Sequence, residues 1–189
     1  ATVMSVAEIV SSEYLSIGSG GTAGVGYIGM LRAIRILAGT EAYRGWLSRL
    51  RGVAGTSAGA ITGLMIVLRL SEDAQDDQCH RTYGLSDMSG IRTIVRTILS
   101  LGGLSEHATL QDMYRFTQTD FVVAVTNLSN ECGEYFNHAS HPTVPVLDAV
   151  CASSAIPYVF QPVHIGGVVY VDGCLTLSHP DPFREGGRR

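Results

Sequence analysis

Leu50-Arg-Gly-Val-Ala-Gly-Thr-Ser57-Ala-Gly-Ala-Ile-Thr-Gly-Leu64 decides how the rest of the chain is read. Leu50–Ala54 with Gly55 is a short apolar run that predicts a strand. Ser57 then opens a segment with the pattern of a helix running to about Leu70. At the joint, Gly55-Thr56-Ser57-Ala58-Gly59 matches Gly-x-Ser-x-Gly. A serine on a sharp strand-to-helix turn adopts a strained backbone. Neighbours two positions away must then be small, as Gly55 and Gly59 are. The turn presents the hydroxyl at a helix N-terminus, where the positive dipole end favours developing negative charge. That suits a nucleophile, although a small-residue turn packing helix on strand yields the same pentapeptide.

Upstream, Tyr14-Leu-Ser-Ile-Gly18 reads as a strand entering a turn. Tyr27, Met30, Leu31, Ile34 and Leu37 then recur at helical spacing, with Arg32 and Arg35 opposite, so Val25–Ala38 is a helix ended by Gly39. Arg44–Leu50 has the character of a further short helix. Between strand and helix lies Gly18-Ser-Gly20-Gly21-Thr-Ala-Gly24. Bare glycine backbone lets amides approach an anion, and the following helix adds its dipole. A dinucleotide fold wants an acidic residue at the end of the next strand, whereas Glu41 follows a helix end. A phosphate-binding P-loop wants a lysine, and all 13 basic residues here are Arg. An oxyanion hole needs only amides beside a nucleophile, and the serine elbow favours that use over an empty glycine turn.

Downstream, Glu72, Asp73, Asp76 and Asp77 read as a solvated surface. Ile91, Ile94, Val95, Ile98 and Leu101 form one apolar face, opposite Arg92 and Arg96, in a helix closed by Gly102-Gly103. Packing on the core is expected of it, with a lid or membrane-facing helix as the alternative. Thr109 and Asp112 have capping-box spacing. Phe121–Thr126 reads as a strand covered on both faces. Val146–Ser154 reads as a helix closed by Pro157, and Gly166-Gly167 joins Pro162–Ile165 and Val168–Val171 in a hairpin. Strands alternating with helices predict α/β layers, with an antiparallel pair near the end. Asp172-Gly173 directly follows the last strand, which suits either a carboxylate facing the top of a sheet or an ordinary turn. Of the six His, only His179 follows Asp172, as a Ser…Asp…His order demands. His138 and His141 sit three apart among loop residues, and no pair has metal-ligand spacing worth pursuing.

The 189 residues are 46% apolar and 16% charged, a composition for one folded domain over 1–189 rather than for disorder. A net charge of −4 excludes nucleic acid as the main partner. The absence of Lys excludes Schiff-base chemistry and a Ser–Lys dyad. Four Cys without a Cys-x-x-Cys pair predict free thiols in a reducing, cytoplasmic setting. The longest apolar run, Ala58–Leu68, is short of the roughly 18 residues that span a bilayer. Ala1–Ser11 lacks the features of a secretory leader.

Taken in order, these parts resemble the patatin-like phospholipase family. The likeness starts with Ser19-Gly20-Gly21-Thr22-Ala23-Gly24 and the helix carrying Gly29-Met30-Leu31, then the elbow Gly55–Ala60 and its helix Ile61-Thr62-Gly63-Leu64. It continues with Ala152-Ser153-Ser154-Ala155-Ile156-Pro157 and Phe160-Gln161-Pro162, and ends with Tyr170-Val171-Asp172-Gly173. The resemblance implies a three-layer α/β sandwich with a central, mostly parallel sheet and a helical insertion around 71–120. It implies a Ser57–Asp172 dyad without His, and an oxyanion hole from the backbone of Gly20, Gly21, Thr22, Ala23 and Gly24. It also implies an acyl-enzyme, a phospholipid or other lipid-ester substrate met in transient, peripheral contact with a membrane surface, and no metal or organic cofactor. A carboxylate is a weak base for a serine, so such a dyad needs an apolar setting. Three positions depart from the family: Ala23 where Lys or Arg is frequent, Cys174 for a small residue after Asp-Gly, and Ser178 for Asn. They keep open the alternative of an inactive lipid-binding relative, and the chain order keeps open that of a Ser57–Asp172–His179 triad esterase.

Overall fold

Three strands lay down the parallel part of the sheet. β1 (Tyr14–Ile17), β2 (Gly52–Thr56) and β3 (Asp120–Asn127) pair in that order. β4 (Cys132–Phe136) and β6 (Val168–Asp172) run antiparallel to β3, and β5 (Val163–Ile165) antiparallel to β6. β1, β2, β3 and β5 therefore point one way in a six-stranded, mostly parallel sheet flanked by helices. This is the expected α/β sandwich. The structure, a computed structural model, describes residues 4–71, 74–75, 77–78 and 87–183. Glu72, Asp73, Asp76, Cys79, His80 and the tail 184–189 lie outside the described residues.

β3 is the axis of the fold. β4 follows one of its edges from Val123 to Asn127. The other edge is shared: β2 pairs with residues 120–124 and β6 with residues 125–127. All of β2 and all of β3 after Asp120 are buried, which explains their continuous apolar sequence. α4 (Ala58–Val67) lies on the face of the sheet formed by Val53 and Phe121, both of which its Gly63 approaches, and it is buried from Gly59 onward. The chain after β6 crosses the opposite face. There the Phe183 ring lies over Gly52, the Thr56 hydroxyl donates to the Leu177 carbonyl at 2.8 Å, and the Thr126 and Thr176 hydroxyls bond at 2.9 Å.

α2 (Val25–Ala38) has the bounds that its periodicity predicts. α3 (Thr40–Arg49) begins earlier than expected, directly after Gly39, and anchors itself through buried Tyr43 and Trp46. α5 (Met88–Leu101) packs on the core as expected, burying Ile91, Ile94, Val95, Ile98 and Leu99. Leu99 takes the place expected of Leu101, which is exposed. Arg92 pairs with Asp148 at 3.0 Å and ties α5 to α7 (Val146–Ser153). The Thr109–Asp112 capping box opens α6 (Leu110–Thr117). Two elements were not expected. α1 (Val6–Ser11) starts with a Ser5–Glu8 capping box, a signal present in the sequence. β4 contains Gly133 and Glu134, poor strand formers, and owes its existence to the ladder with β3.

Candidate active site

The register on β3 brings the two ends of the site together. Thr56, the last residue of β2, pairs with Ala124, and Asp172, the last residue of β6, pairs with Val125. The two strands thus end at neighbouring positions of one edge, and Ser57 follows at once. Gly173 lets the chain turn there, since a Cβ would run into the Ala124 carbonyl and lie 3.0 Å from Thr56 Cγ2. Gly173→Ala is expected to destabilise the fold by roughly 1–3 kcal/mol, the usual scale of overpacking. Thermal denaturation against the parent chain measures this, and an unchanged Tm would refute it.

The elbow has the strained geometry that the pentapeptide predicts. Ser57 sits at φ 55°, ψ −123° as N-cap of α4, and only 5% of it is exposed. Backbone strain of this kind costs about 1–3 kcal/mol and persists only where the surroundings enforce it. At Gly55 a Cβ would collide with the Gly59 carbonyl and the Ala60 backbone; at Gly59, with the carbonyls of Ile17 and Gly18. The second contact presses the first turn of α4 onto the glycine loop. The Ser57 amide points inward and donates to Ser153 Oγ at 2.9 Å, and Ser153 Oγ donates to the Ala124 carbonyl at 2.6 Å. In the sequence Ser153 carries no signal beyond its membership of the Ala152–Pro157 segment.

Asp172 is wholly buried. Its amide donates to the Ala155 carbonyl and its carbonyl accepts from Thr126 Oγ1, each at 2.9 Å, which locks the backbone. Oδ1 accepts the Cys174 amide at 2.8 Å. Oδ2 is buried and has no hydrogen-bond partner among the described residues. Burial pushes the carboxyl pKa above the ordinary value. The Cys174 amide, the Ser57 hydroxyl and the Cys174 thiol oppose that push. The Ser57 hydroxyl is thus near enough to act on the carboxylate, without meeting the geometry of a formed hydrogen bond. The Cys174 thiol is itself pushed up to about 11, first by burial and then by the Asp172 charge, so it stays protonated at neutral pH.

The glycine loop closes the third side. Gly21–Gly24 forms a 3-10 turn leading into α2, with Gly21 at φ 48°. At Gly20 a Cβ would lie 3.0 Å from the Tyr27 ring and 3.1 Å from Gly24, so the tight turn needs glycine. Ser19 is bonded to Ser178 twice, amide to carbonyl and hydroxyl to hydroxyl, both at 2.8 Å, and the Tyr27 hydroxyl donates to the Gly18 carbonyl at 2.8 Å. The Gly20 amide has no acceptor among the described residues. Thr22 and Ala23 lie within the turn.

His179 is exposed and lies beside Gly18. It makes no hydrogen bond to Asp172 or Ser57 among the described residues, so the geometry does not assemble the triad that chain order allows. His138 bonds Asp120 at 2.9 Å and stacks on Tyr114, and His141 stacks on Phe136; both are engaged in local structure.

A family profile described as patatin-like phospholipase matches residues 15–181, a span that holds the glycine loop, the elbow and Asp172. The chain belongs to the patatin-like phospholipase family. No curated protein matches it. Among solved structures, VipD from Legionella pneumophila shares the patatin-like fold, with a TM-score of 0.65 at 17% identity over 85% of this chain and 45% of VipD. ExoU from the type III secretion system of Pseudomonas aeruginosa, solved in complex with SpcU, aligns with a TM-score of 0.48 at 15% identity over 76% of this chain and 38% of that one. This patatin-like chain thus spans less than half the length of either protein.

Proposed function

We propose that the protein is a lipid acyl hydrolase of phospholipase A or lysophospholipase type, acting through a Ser57–Asp172 dyad. The observation that carries this reading is the meeting of β2 and β6 on one edge of β3, which sets a strained serine beside a buried carboxylate. Asp172 takes the proton from Ser57 Oγ as the oxygen attacks the ester carbonyl. The amides of the glycine loop that the 3-10 turn leaves free, those of Gly20, Gly21 and Thr22, supply the oxyanion hole. So does the amide of Ala58, which opens α4 and has no acceptor among the described residues. The tetrahedral adduct collapses, the alcohol leaves with the proton from Asp172, and Ser57 carries the acyl group. Water, deprotonated by Asp172, then releases the fatty acid and restores the serine.

Two features favour hydrolysis over lipid binding alone. Burial raises the basicity that a carboxylate otherwise lacks. Cys174, the departure next to the acid, donates its amide to Oδ1 at 2.8 Å and so fixes the orientation of the carboxylate, while moderating the rise in its basicity. The substrates are phospholipids, lysophospholipids or related lipid esters, reached through transient contact with a membrane surface. No helix among the described residues is long and apolar enough to cross a membrane.

The test is reaction with a fluorophosphonate probe, followed by mass spectrometry of the labelled peptide, beside fatty-acid release from phosphatidylcholine vesicles. Labelling at Ser57 together with release is expected. Vesicle binding without labelling would overturn the proposal in favour of a lipid-binding module.

A further inference from the structure

Of the buried hydroxyls outside the dyad, that of Ser153 bonds the amide of Ser57. Ser153 is the last residue of α7 and is fully buried. Its Oγ accepts the amide of Ser57 and donates to the carbonyl of Ala124, so it is interposed between the elbow and β3. We infer that Ser153 is a positioning residue that fixes the nucleophile relative to the acid; this rests on the reading of Ser57 as nucleophile.

Three observations carry the inference. The Ser57 amide precedes the first turn of α4 and has no helical acceptor, so without Ser153 it would be an orphaned buried donor. Ala124 pairs with Thr56 on one side, and the next residue along, Val125, pairs with Asp172. The Ser153 hydroxyl therefore anchors the elbow to the very point of β3 that sets the spacing between nucleophile and acid. Finally, the positive φ of Ser57 must be held from outside, and this tie is the one the amide makes. The Ser57 amide is also removed from the oxyanion hole, leaving that role to Ala58 and the glycine loop.

Ser154 supplies the control. Its hydroxyl is also buried, yet it has no hydrogen-bond partner among the described residues. The experiment compares Ser153→Ala and Ser154→Ala with the parent chain. It measures the second-order rate constant for fluorophosphonate labelling, kcat and KM on a nitrophenyl ester, and Tm. Ser153→Ala is expected to lower the labelling constant and kcat by about tenfold or more, the scale of a small misplacement of reacting groups, with KM moving less than about twofold. Ser154→Ala is expected to stay within about twofold of the parent in all three constants, because no bond is lost.

A folded Ser153→Ala chain that labels at the parent rate overturns the assignment, and so does an equal loss in Ser154→Ala. Should Ser153→Ala not fold, amide exchange in the parent chain decides. The Ser57 amide is expected to exchange as slowly as the amides of β2, and exchange at the rate of exposed loops overturns the assignment. Absence of labelling in the parent chain would instead overturn the nucleophile reading, and this assignment with it.

Discussion

Ser57→Ala is expected to abolish fatty-acid release, lowering kcat/KM by about 10⁴-fold or more, the scale on which nucleophile removal acts in serine hydrolases. The substitution deletes one oxygen and keeps the Cβ, so the elbow, the glycine loop and Asp172 stay in place. The Ser153 hydroxyl lies beneath the elbow, engaged with the Ser57 amide and the Ala124 carbonyl. The Ser154 hydroxyl is buried and makes no hydrogen bond among the described residues. Tm is expected to change little, because the Ser57 hydroxyl forms no hydrogen bond of good geometry and the backbone strain at φ 55° is retained by alanine. Fatty-acid titration of parent and variant under identical vesicle loading measures the effect. A variant with undiminished activity would remove Ser57 from the mechanism.

Asp172→Asn is expected to lower kcat/KM by about 10³–10⁴-fold with the fold intact, as loss of a serine's base or of its supporting carboxylate does elsewhere. Asparagine is isosteric, and its Oδ1 keeps the Cys174 amide, but it takes up no proton from Ser57. The same carboxyl sets the pH dependence. Its pKa in the folded protein is raised by burial, and only the ionised form acts as base. Parent activity should therefore rise with pH through an acid limb lying above the ordinary carboxylate value, and Asp172→Asn should lack that limb.

Stability carries the opposite sign. With the folded pKa above the unfolded one, the folded state holds the proton more tightly. The stabilisation is complete below the unfolded pKa and is lost as pH rises through the folded one. Asp172→Asn should thus gain on the parent across that window and hold the gain at neutral pH. Urea titrations of both chains at several pH values read the difference, and a parent chain that gains stability relative to Asp172→Asn as pH rises through the window would contradict the buried, raised carboxyl.

What the sequence made legible was what neighbours along the chain determine. Gly55 and Gly59 around Ser57 imply a tight turn because only glycine tolerates the carbonyls that crowd those positions. The apolar spacing of α2 and the Thr109–Asp112 box act within a turn or two of helix. β4 was illegible because Gly133 and Glu134 carry no strand signal of their own; pairing with β3 supplies it. Leu99 and Leu101 exchanged roles on α5 because the neighbours α4 and α7 decide which flank is covered. Chain order made His179 eligible as a third catalytic member, but order carries no distance, and the ring settles beside Gly18. Ser153 could not be singled out because a serine at the end of a helix has many uses. Its role exists only once β3 and the elbow converge on it.

Having β2 and β6 stop at adjacent positions makes β3 a ruler for the proposed reaction. A single residue step along that strand, about 3.3 Å, separates the two points at which the strand ends are held. An inserted or deleted residue between Ala124 and Val125 would move one of those points and turn the rest of β3 to the other face of the sheet, and because β3 is buried from Phe121 to Asn127 such an edit would break the fold together with the proposed site.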